Sequence, residues 1–224
     1  MKADTKILTT TQLNFLEILG KNKQISNTFY LTGGTALAGF YIPYRLSEDL
    51  DFFTEAEFDP ELITVFLKRN KEKIGYKGYE FNTSFNRNLF FLSFPKESDA
   101  LKVEFTYFPF SPFEKQQTYK GIKIDSVYDI ALNKVFSIYQ NPIRSRDFID
   151  LYMIQKKYGY KMAELISKSA SKFEWRIDSV KLGTNFLCAE RLEERLRLIE
   201  DIKDADWIEF FCHQTDLLKE KIVE

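Results

Sequence analysis

The sequence predicts an α/β (α+β) protein in which helices flank a mixed β-sheet and a helical lobe follows. Three β-prone runs lie between Tyr76 and Phe108 with no helix between them, which favours antiparallel pairing. Helical patterns precede these strands and fill almost all of the chain after residue 125. We therefore expect two domains, residues 1–125 and residues 126–224.

The composition is that of a folded, water-soluble chain. Of its 224 residues, 44% are hydrophobic and 29% are charged, and the net charge of −1 argues against the wholly basic surface of a dedicated nucleic-acid-binding protein. No stretch approaches the roughly 18 apolar residues that span a bilayer, so no membrane association is expected. Cys188 and Cys212 lie far apart and lack neighbours at metal-ligand spacing, which indicates free thiols in a cytoplasmic protein.

Charge is distributed unevenly along the second half of the chain. From Lys134 to Lys181 there are ten Lys or Arg against five Asp or Glu, whereas from Leu182 to the end there are six against eleven. A basic stretch of this kind either steers RNA or forms a solvated helix face. Its members are Arg144, Arg146, Lys156, Lys157, Lys161, Lys168 and Lys172.

The elements follow from local patterns. An amphipathic helix is predicted from about Thr10 to Lys21, and a short strand at Thr28–Thr32 ends at two glycines before a further helix. A second strand, Asp49–Phe53, precedes an amphipathic helix that begins near Asp59. The remaining elements are strands at Tyr79–Phe85, Leu89–Phe94, Leu101–Phe108 and Gly121–Ile124, turns at Asn86–Asn88 and Pro95–Asp99, and helices from Asp125 or Ser126 to Tyr139 and from Ser145 to Lys157.

Gly33 and Gly34 stand between a predicted strand and the helix-forming run that begins at Thr35. Glycines at such a junction let the backbone turn sharply and present N–H groups beside a helix N-terminus, where phosphate oxygens bind favourably. A tight turn without a ligand is the alternative.

Asp49 and Asp51 are two residues apart on a predicted strand. Both carboxylates therefore leave the same face, while Leu50 and Phe52 point into the core. Two such aspartates can hold Mg²⁺ ions roughly 3.5–4 Å apart for phosphoryl transfer. The alternative is a solvated strand face with a capping aspartate.

Glu104 is the candidate for a third carboxylate. In the run Leu101–Thr106 the apolar residues alternate, which places Glu104 on the opposite face together with Lys102. The alternative is an exposed strand residue paired with Lys102 or with another lysine.

The stretch Leu31–Leu37, followed by Arg45–Phe53, resembles the first motif of the AbiEii/AbiGii toxin family of nucleotidyltransferases. This resemblance implies a DNA polymerase β-like nucleotidyltransferase fold, with residues 1–125 as the catalytic domain. It also implies a bacterial abortive-infection or toxin–antitoxin context with a cognate antitoxin protein as partner. The implied metal triad is Asp49, Asp51 and Glu104, where the family more often carries Asp at the third position.

Two downstream segments resemble the family as well. Asp129–Lys134 is similar to its helix with an active-site lysine, and Arg146–Leu151 is similar to its last motif. The resemblance implies that Lys134 contacts the triphosphate or base, and that Asp147 or Asp150 orients Lys134 or the nucleophile. From the residues alone Asp147 has another explanation, because a carboxylate in a first helical turn interacts favourably with the helix dipole.

Arg45 and Ser47 also belong to the family pattern, and they either contact phosphate or support the loop. The expected catalytic residues are Asp49, Asp51, Glu104, Lys134 and Asp150. The expected triphosphate-binding residues are Gly33, Gly34, Thr35, Arg45, Ser47, Lys134 and Asp147.

The implied reaction is in-line attack of an acceptor hydroxyl on the α-phosphorus of a nucleoside triphosphate, with Mg²⁺ or Mn²⁺ as cofactor. The acceptor would be the 3′ end of tRNA or a protein side chain. Two other classes are a nucleotide- or antitoxin-binding module without turnover, and a kinase-like enzyme that transfers the γ-phosphate and releases a nucleoside diphosphate.

Overall fold

A computed structural model describes residues 1–95, 97, 99–193 and 196–223, without the side chains of residues 221–223. Lys96 and Ser98, in the predicted turn Pro95–Asp99, lie outside the described residues. Contacts divide the chain into two compact units, Met1–Ser126 and Val127–Glu224.

The first unit is built on one mixed sheet, as the sequence predicts. Its strand order is β3-β4-β5-β2-β1-β7-β6. The pairs β2/β5 and β1/β7 are parallel and the other neighbouring pairs are antiparallel. The strands are β1 (Tyr30–Thr32), β2 (Leu50–Thr54), β3 (Gly78–Ser84), β4 (Arg87–Ser93), β5 (Leu101–Tyr107), β6 (Gln117–Tyr119) and β7 (Ile122–Ile124).

The helices of the first unit are α1 (Thr10–Lys21), α2 (Lys23–Thr28), α3 (Gly33–Phe40), α4 (Glu61–Arg69) and α5 (Lys71–Ile74). Helix α1 begins with a capping box between Thr9 and Gln12. The predicted first strand begins later in the structure: Thr28 is the last residue of α2, Phe29 is its C-cap with extended backbone, and β1 begins at Tyr30. Asn22 ends α1 and its side chain caps α2, so the chain re-enters a helix after one residue.

An aromatic core fixes which face of the sheet carries polar groups. The rings of Phe52 on β2 and Phe105 on β5 stack with centroids 5.0 Å apart, and Phe15 of α1 lies 6.4 Å from Phe52. Leu50 and Phe52 are fully buried. Because side chains alternate along a strand, Asp51 projects from the opposite face of β2.

The second unit is helical. Its core includes the rings of Phe148, Phe186 and Phe211, which are fully buried. None of the helices among the described residues combines the length and the apolarity that crossing a bilayer requires. The helices are α6 (Val127–Gln140), α7 (Ser145–Tyr158), α8 (Met162–Lys172), α9 (Ser179–Leu187) and α10 (Asp204–Val223), with a 3₁₀ turn at Cys188–Arg191.

Candidate active site

The turn between β1 and α3 requires glycine at its first position. Gly33 has φ +72°, in the left-handed region that favours glycine. A Cβ atom at Gly33 would also lie only 2.8 Å from Oδ2 of Asp51. The carboxylate of Asp51 therefore lies directly against the glycine turn, at the N-terminus of α3.

Arg45 lies against the second glycine of the turn. A Cβ atom at Gly34 would overlap Nη2 of Arg45, so a side chain there is excluded while the arginine is in place. Arg45 is buried and donates hydrogen bonds to the carbonyl oxygen of Leu46 (3.0 Å) and to the hydroxyl of Tyr44 (3.3 Å). Arg45 was expected either to contact phosphate or to support the loop, and these contacts agree with support of the loop.

Thr35 and Ser47 tie the glycine turn to the segment that precedes β2. Thr35 Oγ1 lies 2.7 Å from Ser47 Oγ and hydrogen-bonds the carbonyl oxygen of Asp49. Gln12 of α1 supports the same segment, because its amide donates to the carbonyl oxygens of Ser47 (2.9 Å) and Glu48 (3.1 Å). No sequence pattern pointed to Gln12 as a supporting residue, because its partners lie 35 and 36 residues away.

The three predicted carboxylates lie on neighbouring segments of the sheet. Asp51 is the register partner of Thr32 on β1 and of Glu104 on β5. Asp49 directly precedes β2, which begins at Leu50 rather than at Asp49. We refer to Asp49, Asp51 and Glu104 as the acidic cluster.

Two cationic side chains contact the acidic cluster. Lys102 Nζ lies 2.8 Å from Asp49 Oδ2 and 3.8 Å from Glu104 Oε2. Arg87 on β4 makes a bidentate pair with Glu104, with both nitrogen–oxygen distances 2.7 Å. Thr106 donates a further hydrogen bond of 2.8 Å to Glu104 Oε1. Glu104 is thus a buried residue with specific partners, rather than an exposed strand residue.

The electrostatics of the acidic cluster follow from these contacts. Burial raises the pKa of Glu104, but hydrogen bonds from Arg87 and Thr106 and the charges of Arg87 and Lys102 outweigh burial, so the pKa lies below its ordinary value. The hydrogen bonds to Glu104 raise the pKa of the Arg87 guanidinium against the effect of burial, and the charges of Asp51 and Asp49 raise it further. Glu104 is therefore ionised and Arg87 is cationic at neutral pH.

The acidic cluster has the ligand chemistry of a divalent-cation site but not a preformed ligand geometry. In the part of the chain that the structure describes, no group of three or more His, Cys, Asp or Glu side chains is arranged closely enough to hold a metal ion. The carboxylates of Asp49, Asp51 and Glu104 therefore do not converge on one metal position in this structure. Their carboxylate oxygens are nevertheless the ligands that Mg²⁺ prefers. The ammonium of Lys102, shared between Asp49 and Glu104, shows that a cation can lie between these carboxylates. The three carboxylates therefore fit Mg²⁺ in the chemistry of their oxygen ligands.

In the second unit, Lys134 lies between two aspartates. Its Nζ is 2.6 Å from Asp147 Oδ1 and 2.7 Å from Asp150 Oδ2, and all three side chains are buried. Ser137 and Arg144 also donate hydrogen bonds to Asp147. Burial raises the pKa of Asp147, but the charges of Lys134 and Arg144 outweigh it, so the pKa lies below its ordinary value.

This arrangement places the predicted Lys134, Asp147 and Asp150 in one ion-pair cluster. Asp147 does lie in the first turn of α7, but its direct contacts with Lys134 go beyond an interaction with the helix dipole. Ser145 is the first helical residue, and Arg144 occupies the cap position without a capping side chain.

The basic stretch is only partly a surface feature. Lys172 is buried and pairs with Asp129 at 2.8 Å, linking α8 to α6. Arg144 is directed to Asp147. Lys172 therefore belongs to the interior of the second unit, because its charge is matched there by a buried carboxylate.

The mixed sheet places a glycine turn against Asp51, beside Glu104 on β5 and near Asp49, which precedes β2. The chain belongs to the family described as "Nucleotidyl transferase AbiEii toxin, Type IV TA system", whose model matches residues 17–220. The family resemblance and the fold class predicted from the sequence are thereby confirmed.

Individual proteins resemble this chain in sequence or in fold. The chain is 32% identical over 145 residues to "Uncharacterized protein aq_aa25" from Aquifex aeolicus (strain VF5), a match that spans 63% of this chain and 64% of the relative. Its fold is similar to that of JHP933 from Helicobacter pylori, with a TM-score of 0.60, 20% identity, and coverage of 96% of this chain and 94% of that one. A second solved H. pylori chain gives a TM-score of 0.58 at 20% identity, with 96% and 97% covered.

Proposed function

We propose that this protein is a divalent-metal-dependent nucleotidyltransferase and the toxin of a bacterial toxin–antitoxin system. It transfers a nucleoside monophosphate from a nucleoside triphosphate to an acceptor hydroxyl. The observation that carries the proposal is the position of Asp51, whose carboxylate lies against Gly33 and beside the register position of Glu104. Family membership supports the same reaction class.

The first unit supplies the phosphate-binding turn and the acidic cluster. The turn at Gly33 and Gly34 leads into α3, and in this proposal the backbone N–H groups at the start of that helix bind phosphate oxygens. Thr35 and Ser47 hold the adjoining segment in place, and Arg45 buttresses the turn. Asp49 and Asp51 would hold Mg²⁺ or Mn²⁺, with Glu104 as the third carboxylate. The bound ion would stabilise negative charge on the phosphoryl oxygens.

The second unit contains a buried cation, Lys134. Lys134 is the triphosphate-contacting lysine in this proposal, and Asp147 and Asp150 orient it. The two short ion pairs support an orienting role, since they fix the ammonium between two helices.

In the proposed reaction the acceptor oxygen forms a bond to the α-phosphorus, and the bond from that phosphorus to the pyrophosphate oxygen breaks. The acceptor is the 3′-terminal hydroxyl of tRNA or a protein hydroxyl, and a cognate antitoxin protein is the expected partner in the cytoplasm. Exposed members of the basic stretch would steer an RNA acceptor.

The test is incubation of the purified protein with Mg²⁺, total tRNA and each of the four nucleoside triphosphates labelled at the α-phosphate. Asp51→Asn is the matched control, because it removes one charge and changes no other side chain. Label on RNA or protein with the wild type alone supports nucleotidyl transfer and identifies base and acceptor together. Transfer from γ-labelled substrate in place of α-labelled substrate would replace the proposal with a kinase-like reaction, and binding without any transfer would replace it with a binding module.

A further inference from the structure

We propose that Lys102 is an internal cation that competes with the divalent metal for Asp49 and couples metal binding to nucleotide binding. This inference rests on the proposed function and goes beyond it, because it assigns a role to a residue outside the expected site. The carrying observation is that the Lys102 ammonium lies 2.8 Å from Asp49 and 3.8 Å from Glu104.

The location of Lys102 follows from the strand. Residues 102 and 104 project from the same face of β5, and Glu104 is the register partner of Asp51. Lys102 thereby reaches across to Asp49, which precedes β2. Its ammonium contacts one oxygen of the carboxylate to which the proposed metal would bind.

A metal and the Lys102 ammonium compete for the negative charge of Asp49. Two cations on one carboxylate repel each other, because its single negative charge cannot neutralise both. Glu104 already makes a bidentate pair with Arg87 and lies 3.8 Å from the Lys102 ammonium, so Asp49 at 2.8 Å is the carboxylate in closer contact with Lys102. Metal binding at Asp49 should therefore weaken the pair between Lys102 and Asp49.

The structure allows displacement of Lys102 from Asp49. The side chain of Lys102 is 23% exposed and that of Asp49 is 29% exposed, so the pair borders solvent. A lysine ammonium is a compact charge on a flexible stem, and it can turn from a carboxylate to a phosphate oxygen. A triphosphate that arrives with the metal would supply that new partner. Metal and nucleotide should consequently strengthen each other's binding.

The experiment is a titration of the full chain with Mn²⁺, in which free Mn²⁺ is measured by electron paramagnetic resonance without nucleotide. We expect Lys102→Met to bind Mn²⁺ more tightly than the wild type, by up to about fivefold, as removal of a partly exposed ion pair suggests. Lys68→Met, which removes an exposed lysine of α4, is the matched control and should leave the affinity unchanged. Lys102→Gln is a second variant, and circular dichroism reports whether each variant is folded.

A second titration adds a non-hydrolysable nucleoside triphosphate. The nucleotide should tighten Mn²⁺ binding in the wild type, and this gain should be smaller in Lys102→Met. The inference would be overturned if the wild type and both Lys102 variants bound Mn²⁺ with equal affinity while Asp49→Asn lost binding. That outcome would still support the proposed metal site. Absence of specific Mn²⁺ binding with and without nucleotide would overturn the metal site of the proposed function, and the inference with it.

Discussion

Substitution of Gly33 by alanine probes the contact between the glycine turn and the acidic cluster. The residue has φ +72°, and alanine in the left-handed region costs about 1–2 kcal/mol in the free energy of unfolding. Its Cβ would also lie 2.8 Å from Asp51 Oδ2, about 0.6 Å short of the 3.4 Å at which ordinary contact begins. Asp51 must therefore move, and a displacement of this size should lower the transfer rate by about tenfold or more.

Gly75→Ala is the matched control. Gly75 belongs to the same unit and also has a positive φ of 90°, but a Cβ atom there would meet nothing within 4 Å. Both variants should lose stability in urea unfolding, whereas only Gly33→Ala should lose Mn²⁺ affinity and transfer activity. Equal activity in Gly33→Ala and Gly75→Ala would refute the argument that the turn positions the carboxylate of Asp51.

Three further predictions concern the two clusters. Asp49→Asn and Asp51→Asn should each abolish Mg²⁺-dependent transfer while circular dichroism shows an intact fold; transfer at the wild-type rate in both would remove the metal assignment. Lys134→Met should lower the free energy of unfolding in urea by about 3–5 kcal/mol, because two buried aspartates lose their shared partner, and an unchanged value would contradict the ion-pair cluster. The folded-state pKa of Asp147 lies below its ordinary value, so its charge stabilises the fold at neutral pH and this stabilisation is lost as pH falls through the folded-state pKa. The difference in free energy of unfolding in urea between wild type and Asp147→Asn should accordingly be smaller at pH 3 than at pH 7. An equal difference at the two pH values would show that the charge of Asp147 is not what stabilises the fold.

Local sequence patterns were sufficient to predict the direction of a side chain where that direction depends only on its own strand or helix. Alternation placed Asp51 and Glu104 away from the core, and the structure buries Leu50, Phe52, Val103 and Phe105 as that alternation requires. The bounds predicted for the first helix agree with α1. These features depend on short-range geometry, which a single sequence records.

Contacts between distant segments were not visible in the sequence. Arg87 meets Glu104 because the register of β4 against β5 pairs Arg87 with Thr106, and no local pattern encodes that register. The burial of Arg45 against Gly34 likewise depends on how the segment before β2 folds back. The alternation that placed Lys102 beside Glu104 on one face was a usable signal, but Asp49 as its partner required the tertiary structure.

The parallel pairing of β2 and β5 also bears on how this site can vary among relatives. Asp51 and Glu104 are register partners, so the separation of their backbones is set by the interstrand distance of about 4.8 Å. The reach of the carboxylate at position 104 then depends on side-chain length alone, and aspartate would withdraw it by about 1.5 Å, one carbon–carbon bond. An aspartate there would hold its carboxylate farther from an arginine at position 87, which should weaken the bidentate pair. Relatives with aspartate at the position of Glu104 should therefore depend less on arginine at position 87, and the two positions should change together in an alignment more often than unrelated positions do.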